Sequence, residues 1–145
     1  DIVMVVAGDG PMRMTLEAAA ADLPNLIVLP FQPEDRFSEF LGLADVHLMP
    51  QEKGAADLML PSKLGGMLAS GRPILVTADP GTELSDFLGN AAVCTPPGDV
   101  QAMVEAVVGL AGSPETGQGE ARRLALARSL SKTEGLAAFE EALRG

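Results

Sequence analysis

The 145-residue sequence has no tryptophan or tyrosine, one histidine, one cysteine and five phenylalanines. So few aromatic side chains offer little surface on which nucleic-acid bases could stack. The formal net charge of -10 also has the wrong sign for a nucleic-acid surface, so we expect no nucleic-acid partner. The single cysteine, Cys94, cannot form an internal disulfide bond, which favours a reducing compartment and a small, buried, apolar role for this residue.

Other features that would restrict the function are also missing from the sequence. No apolar run is long enough to span a bilayer, and no signal peptide is recognisable, so a cytoplasmic location is expected. No catalytic triad, metal-ligand cluster or nucleophilic cysteine arrangement is visible, and His47, in the middle of an expected strand, is interpreted as structural. The chain starts with Asp1, directly on strand-like residues and without an initiator methionine, and we therefore expect a fragment.

What the sequence does contain is an alternation of short apolar runs with helical patterns, in a chain that is 47% hydrophobic. Continuous apolar runs are typical of strands buried on both faces, and strands that alternate with helices indicate a parallel sheet. We predict one α/β domain over residues 1–145, a doubly wound parallel sheet of four to six strands with helices on both faces. The predicted strands are 2–7, 26–29, 46–49, 74–77 and 92–94, and the predicted helices begin near 11, 34, 62, 80, 99, 120 and 132.

The segment from Leu60 to Ile74 is the most informative part of the chain. Pro61 can begin but not continue a helix, Ser62 is a good N-cap, and Gly71 with Pro73 ends the helix before the next strand. Small residues inside the helix (Gly65, Gly66, Ala69 and Ser70) would let other backbone approach. Free amides at a helix start, next to Lys63, predict an anion site suited to a phosphate.

Four segments, in this order, resemble the carboxy-terminal domain of GT-B-fold glycosyltransferases of the large retaining family four, or group 1. They are Ala7-Gly8-Asp9-Gly10-Pro11, residues 25–33, residues 43–50 and residues 60–74. Within this family the sequence is most similar to colanic-acid-type polysaccharide glycosyltransferases, which share Pro61-Ser62-Lys63-Leu64 and Ala69-Ser70-Gly71-Arg72-Pro73. The resemblance covers roughly residues 1 to 110.

The resemblance implies a Rossmann-like domain, the C-terminal half of a GT-B fold, that binds a nucleotide-diphosphate sugar. The implied reaction transfers a hexose, with retention, to a polysaccharide or lipid-linked acceptor held by a preceding domain that is absent here. The fragment alone would then be inactive, and the full-length enzyme would make peripheral contact with the inner face of the membrane. No cofactor is implied, and no divalent metal, because amides and cations would neutralise the diphosphate.

The resemblance also implies which residues meet the donor. Gly8, Asp9 and Gly10 would let a sugar-phosphate approach the backbone, and the loop of Pro30, Phe31 and Gln32 would receive the nucleobase. Pro61, Ser62 and Lys63 would hold the diphosphate. The family's paired glutamates, one for the donor sugar and one for the ribose, align with Leu58 and Gly66, which are not acids; Asp57 is a candidate replacement for the first.

Each of these assignments has a simpler alternative. Asp9 could cap the following helix, Phe31 could belong to the core, and Lys63 could be a solvated helix residue. Arg72 is expected to hydrogen-bond the free carbonyl groups at the end of the helix rather than to bind a substrate. Two other functions also stay open: a GT-B-fold nucleotide-sugar epimerase domain, and a non-catalytic protein-contact module of the same fold, which the residues at Leu58 and Gly66 favour.

Overall fold

The computed structural model describes residues 1–53, 60–112 and 117–131. The chain divides into two compact units, Asp1–Phe40 and Leu41–Gly145, and each is described by itself. Within the described residues all strand pairs are parallel, and helices alternate with strands. The structure is therefore mixed α/β, consistent with the Rossmann-like half of a GT-B fold that the sequence predicted.

The first unit is built on two parallel strands joined by a helix. The strands β1 and β2 pair in register from Met4 opposite Leu26 to Ala7 opposite Leu29. A short 3-10 turn and the start of the next helix follow. The bounds are β1 Met4–Ala7, α1 Arg13–Ala20, β2 Leu26–Leu29, the 3-10 turn Glu34–Arg36 and α2 Phe37–Gly42, which crosses the boundary between the units.

The prediction that β1 is buried on both faces is wrong for this strand. Met4 and Val5 point to opposite faces of β1 and are 44% and 42% exposed. The reason is that, among the described strands, β1 pairs only with β2, and this two-stranded ladder leaves part of both faces uncovered. The helical pattern that begins near residue 34 would also place Phe37 inward, but this expectation is wrong, because the side chain is 39% exposed.

The second unit contains a three-stranded parallel sheet in the order β3-β4-β5. The central strand β4 is buried along its whole length, which explains its uninterrupted apolar sequence. The sequence predicted one sheet, whereas the five described strands pair in groups of two and three. The bounds are β3 His47–Met49, α3 Leu64–Ala69, β4 Ile74–Thr77, α4 Glu83–Leu88, β5 Val93–Thr95, α5 Val100–Gly112 and α6 Gly117–Ser129.

The hydrophobic core of the second unit lies between the sheet and helices α3 and α4. Leu64 and Leu68, one helical turn apart, are both fully buried, as are Leu84 and Leu88 on α4. They pack with residues of β3 and β4 and with Ala78, and Leu126 and Ala127 of α6 lie against this cluster. The core therefore fixes α3 and α4 by their apolar faces.

Two of the predicted helix starts are confirmed by side-chain hydrogen bonds. Asp99 precedes α5 and its Oδ1 accepts from the Ala102 backbone N–H at 2.9 Å. Thr82 precedes α4 and its Oγ1 accepts from the Ser85 N–H at 3.3 Å. The predicted helix over 120–130 corresponds to α6, which runs from Gly117 to Ser129, while the one expected at 132–144 falls outside the described residues.

Candidate functional site

The Gly8–Gly10 turn after β1 and the Pro30–Gln32 loop after β2 are joined by the Asp9 carboxylate. Asp9 Oδ2 accepts a hydrogen bond from the Phe31 backbone N–H at 3.2 Å. Asp9 Oδ1 accepts from Nη1 of Arg13, the first residue of α1. The helix-cap interpretation of Asp9 is wrong, because Met12 stands at the N-cap of α1 and no side chain caps that helix. The carboxylate instead connects two loops at the carboxyl ends of neighbouring strands.

Arg13 stands between two carboxylates. Its Nε donates to Glu17 Oε1 at 2.8 Å, in addition to the bond with Asp9. The pKa of Arg13 is raised above its ordinary value, first by the hydrogen bond that it donates to Glu17 and second by the one that it donates to Asp9. The positive charge beside the Gly8–Gly10 turn is therefore compensated by acids of the same unit.

The Pro30–Gln32 loop presents an aromatic ring to solvent. Phe31 is 70% exposed, so the alternative that it belongs to the core is wrong. Pro30 ends β2, and the Phe31 amide is held by Asp9, which leaves the ring outside the packed part of the unit. The Gln32 side chain donates from Nε2 to the Pro30 carbonyl at 2.8 Å and closes the loop on itself.

In the second unit, the structure changes the predicted start of helix α3. The helix begins at Leu64, with Lys63 at its N-cap in helical conformation and without a side-chain cap bond. The Leu64 N–H bonds to the Pro61 carbonyl at 3.0 Å, so Pro61–Leu64 forms a tight turn and Ser62 does not cap the helix. Ser62 and Lys63 are exposed, and Pro61 and Gly66 are half-buried.

The structure does not bring the remaining predicted donor residues together in a site. Asp57 and Leu58 lie outside the described residues. The expectation that Gly65 lets other backbone approach is wrong, because a Cβ atom built there would meet nothing within 4 Å. The exposed side chain of Lys63 is thus the charged group of the Pro61–Lys63 turn that can contact an anion.

His47, a buried histidine of β3, lies beside the C-terminal end of α3, and its tautomer follows from its neighbours. Ser70 Oγ donates to the Met67 carbonyl at 2.7 Å and accepts from the Arg72 N–H at 3.2 Å. Since its one proton is used, Ser70 Oγ must accept from His47 Nε2, which lies 2.9 Å away. Burial, and then the charge of Arg72, lower the pKa of His47 below its ordinary 6.5. His47 is thus neutral, Nε2-protonated and structural, as the sequence indicated.

Arg123, on α6, performs the role that the sequence assigned to Arg72. The Arg72 side chain is exposed, whereas Arg123 is 2% exposed and donates to the Gly71 carbonyl at the end of α3. Helical spacing indicates that Arg123 is buried, although it does not indicate which group Arg123 binds. Arg123, Leu126 and Ala127 follow one another at helical spacing, and the last two pack against the core, so Arg123 falls on the buried face of α6.

A shallow groove of about 300 Å³ lies beyond the carboxyl ends of β4 and β5. Thr95 lines it, and the Thr95 hydroxyl is buried without a hydrogen-bond partner in the described part of the chain. Cys94 also lines the groove and is exposed, so its expected burial as an apolar residue is wrong, because β5 pairs only with β4 in the described sheet. Partial burial nevertheless raises the pKa of the Cys94 thiol.

The described ranges lack both a metal-binding cluster and a membrane-spanning helix. Residues 1–53, 60–112 and 117–131 contain no group of three or more histidine, cysteine or acidic side chains placed to hold a metal ion. Among the same residues, no helix combines the length and the apolar character needed to cross a bilayer.

The class of protein is given by the match of the sequence to a known family, with which the parallel α/β fold is consistent. Residues 1–113 match the family of glycosyl transferases group 1, and the chain belongs to this family. It is also 35% identical, over 111 residues, to the colanic acid biosynthesis glycosyl transferase WcaI of Escherichia coli (strain K12). That match covers 73% of this chain and 27% of the relative, so the chain spans about a quarter of the relative's length. The resemblance to group 1 glycosyltransferases is therefore confirmed.

Proposed function

We propose that this chain binds the nucleotide-sugar donor of a glycosyl transfer reaction. The observation that carries the proposal is the match of residues 1–113 to glycosyl transferases group 1. The bond between Asp9 and the Phe31 amide supports it, because it brings together two loops that the resemblance to this family assigns to the donor. Loops at the carboxyl ends of parallel strands are where α/β folds bind their ligands.

In the first unit, the proposed contacts are with the nucleoside and the sugar-phosphate. The exposed ring of Phe31, with Pro30 and Gln32 on either side, offers an apolar surface and backbone groups to a base. Gly8 and Gly10 lack side chains, so a phosphate can approach their backbone. Asp9 is occupied by the Phe31 amide and by Arg13, which removes it from the proposed direct contacts.

In the second unit, the proposed contacts are with the diphosphate. Lys63 is exposed at the N-cap of α3 and can form a charge-assisted hydrogen bond with a phosphate oxygen. Helix α3 has six residues, so its dipole is small and the lysine is the main contribution. Pro61 and Ser62 shape the turn, and Gly66 can offer only its backbone to the ribose. The roles of Asp57 and Leu58 near the donor sugar stay predictions.

The remaining parts of the reaction are proposed from the family. The transfer would move a hexose with retention to a polysaccharide or lipid-linked acceptor, and a preceding domain would bind that acceptor. Neutralisation of the diphosphate by amides and Lys63 would replace a divalent metal. The cytoplasmic location, with peripheral contact at the inner membrane face for the full-length protein, stays a prediction.

Saturation-transfer NMR with UDP- and GDP-hexoses tests the proposal and separates it from its alternatives. Donor binding predicts saturation of the base and ribose protons and an unchanged sugar. An epimerase would convert the hexose in the same sample, and its product would be visible in the spectrum. A protein-contact module, which the non-acidic Leu58 and Gly66 favour, would give no saturation at millimolar nucleotide sugar. The second and third results would each contradict the proposal.

A further inference from the structure

Asp9 uses both of its carboxylate oxygens within the first unit. Oδ2 accepts from the Phe31 backbone N–H at 3.2 Å, and Oδ1 accepts from Arg13 Nη1. Arg13 is in turn fixed on the opposite side by Glu17, through a bond of 2.8 Å. Glu17, Arg13 and Asp9 thus form a chain of charged side chains that starts on α1 and ends at the backbone of the Pro30–Gln32 loop.

These three charged side chains act on the Pro30–Gln32 loop, which has few other restraints. Phe31 follows the end of β2, and its ring is 70% exposed, so packing does not determine where the ring lies. The other hydrogen bond within the loop, from Gln32 to the Pro30 carbonyl, closes the loop without attaching it to the rest of the unit. The Asp9–Phe31 bond therefore attaches the loop to the turn after β1.

We propose that Asp9 and Arg13 are positioning residues that hold the Pro30–Gln32 loop in the conformation that receives the base of a nucleotide, and that Asp9 does not touch the donor. The proposal rests on the proposed function for the identity of the ligand. A positioning role for Asp9 differs from direct contact with the sugar-phosphate in one respect. A positioning Asp9 would affect the affinity for the nucleoside and would leave the affinity for the phosphates unchanged.

Two substitutions separate the two roles of the Asp9 carboxylate, which are to accept from the Phe31 N–H and to pair with Arg13. Asp9→Ala removes both acceptors, whereas Asp9→Asn keeps an amide oxygen for the Phe31 N–H and loses the ionic partner of Arg13. Asp22→Ala is the matched control, because Asp22 is an exposed acid of the same unit just after α1 and its loss changes the net charge equally.

The first measurement needs no ligand. Amide hydrogen exchange of Phe31, followed by NMR, reports whether Asp9 protects this N–H. We expect exchange to be about tenfold faster in Asp9→Ala, intermediate in Asp9→Asn and unchanged in Asp22→Ala. Equal exchange rates in Asp9→Ala and the unaltered chain would overturn the positioning role whether or not the chain binds nucleotides.

The second measurement compares three probes in titrations of the same variants. We expect Asp9→Ala to weaken uridine or guanosine and the corresponding diphosphate by the same factor, about three- to tenfold, and to leave inorganic pyrophosphate unchanged. A change in pyrophosphate affinity alone would mean that Asp9 acts at the phosphates and would overturn the proposal. If the unaltered chain bound none of the probes, the proposed function and the base-receiving role would both fail, and the exchange rates would still decide whether Asp9 holds the loop.

Discussion

The guanidinium of Arg123 donates to the Gly71 carbonyl through both Nε, at 3.0 Å, and Nη2, at 2.9 Å. Its Nη1 donates to the Ala91 carbonyl at 3.1 Å. Gly71 and Ala91 lie shortly before β4 and β5, so one side chain of α6 connects the two turns that lead into these strands. Helix α6 lies beyond the 1–113 range that matches the family, yet it secures the end of α3.

Arg123→Met should therefore destabilise the chain strongly. Hydrogen bonds from charged donors contribute about 1.5–3 kcal/mol each, and the substitution would leave buried carbonyl oxygens without these donors. We expect a loss of about 3 kcal/mol or more in the free energy of unfolding, measured by urea denaturation. Arg128→Met, an exposed position of the same helix, should change it by less than about 0.5 kcal/mol. Equal midpoints for the two variants would show that Arg123 does not hold these turns.

Gly71→Ala should also be destabilising, because of its backbone rather than its volume. Gly71 has φ +71°, and a Cβ atom there would lie 3.2 Å from Glu120 Cγ. The flexible Glu120 side chain can move, but the left-handed backbone costs about 1–2 kcal/mol for alanine. Thermal unfolding should thus show a loss of stability in Gly71→Ala, and adding Glu120→Ala to the same protein should not restore that stability. As a control, Gly109→Ala within α5, with open space around it, should stabilise by about 0.5–1 kcal/mol.

The lowered pKa of His47 predicts a loss of stability as the solution becomes acidic. Because the folded-state pKa lies below 6.5, the unfolded chain takes up this proton first as the pH falls. His47 therefore favours the folded state less and less from about pH 6.5 down to its lowered pKa, and its effect is constant below that. His47→Gln keeps an N–H donor for Ser70 and cannot titrate, so the stability difference between the two proteins isolates the effect. If the unaltered chain became more stable relative to His47→Gln as the pH fell, that result would contradict the lowered pKa of His47.

Much of the fold could be predicted because it depends on local patterns. The uninterrupted apolar run of β4 and the cap at Asp99 are visible in a few neighbouring residues, and both are confirmed. The predicted start of α3 at Ser62 is wrong because Ser62 and Lys63 suit either a cap or a turn, and the bond from Leu64 to Pro61 decides between them.

Contacts between distant parts of the sequence could not be predicted in the same way. Arg123 acts on Gly71 across 52 positions, and Asp9 acts on Phe31 across 22. Neither pairing leaves a local pattern, because each joins a side chain to a backbone group, a carbonyl or an N–H, that nearly every residue possesses. The candidate site could therefore be predicted as a set of loops, but the bond that organises two of them could not.

The chain alone should not transfer sugar. It spans 27% of the length of its Escherichia coli relative, and the proposed acceptor site lies in a preceding domain. We expect no product when the chain is incubated with UDP- or GDP-hexoses and a lipid-linked or polysaccharide acceptor, in samples where NMR shows the donor bound. Measurable turnover onto the acceptor would show that this chain holds a complete transferase site.

The central claim, that this chain binds a nucleoside diphosphate sugar through Lys63, is tested most directly by titrating UDP and GDP into Lys63→Ala. The substitution removes a charge-assisted hydrogen bond to the diphosphate and leaves the buried core untouched, since Lys63 is exposed. Arg128→Ala, which removes an exposed cation at the end of α6, controls for net charge. We predict an affinity loss of about tenfold for Lys63→Ala, none for Arg128→Ala, and equal thermal stability for all three proteins. Equal affinities for the unaltered chain and Lys63→Ala would contradict the account, and so would a large loss of thermal stability in Lys63→Ala, because it would make Lys63 a structural residue.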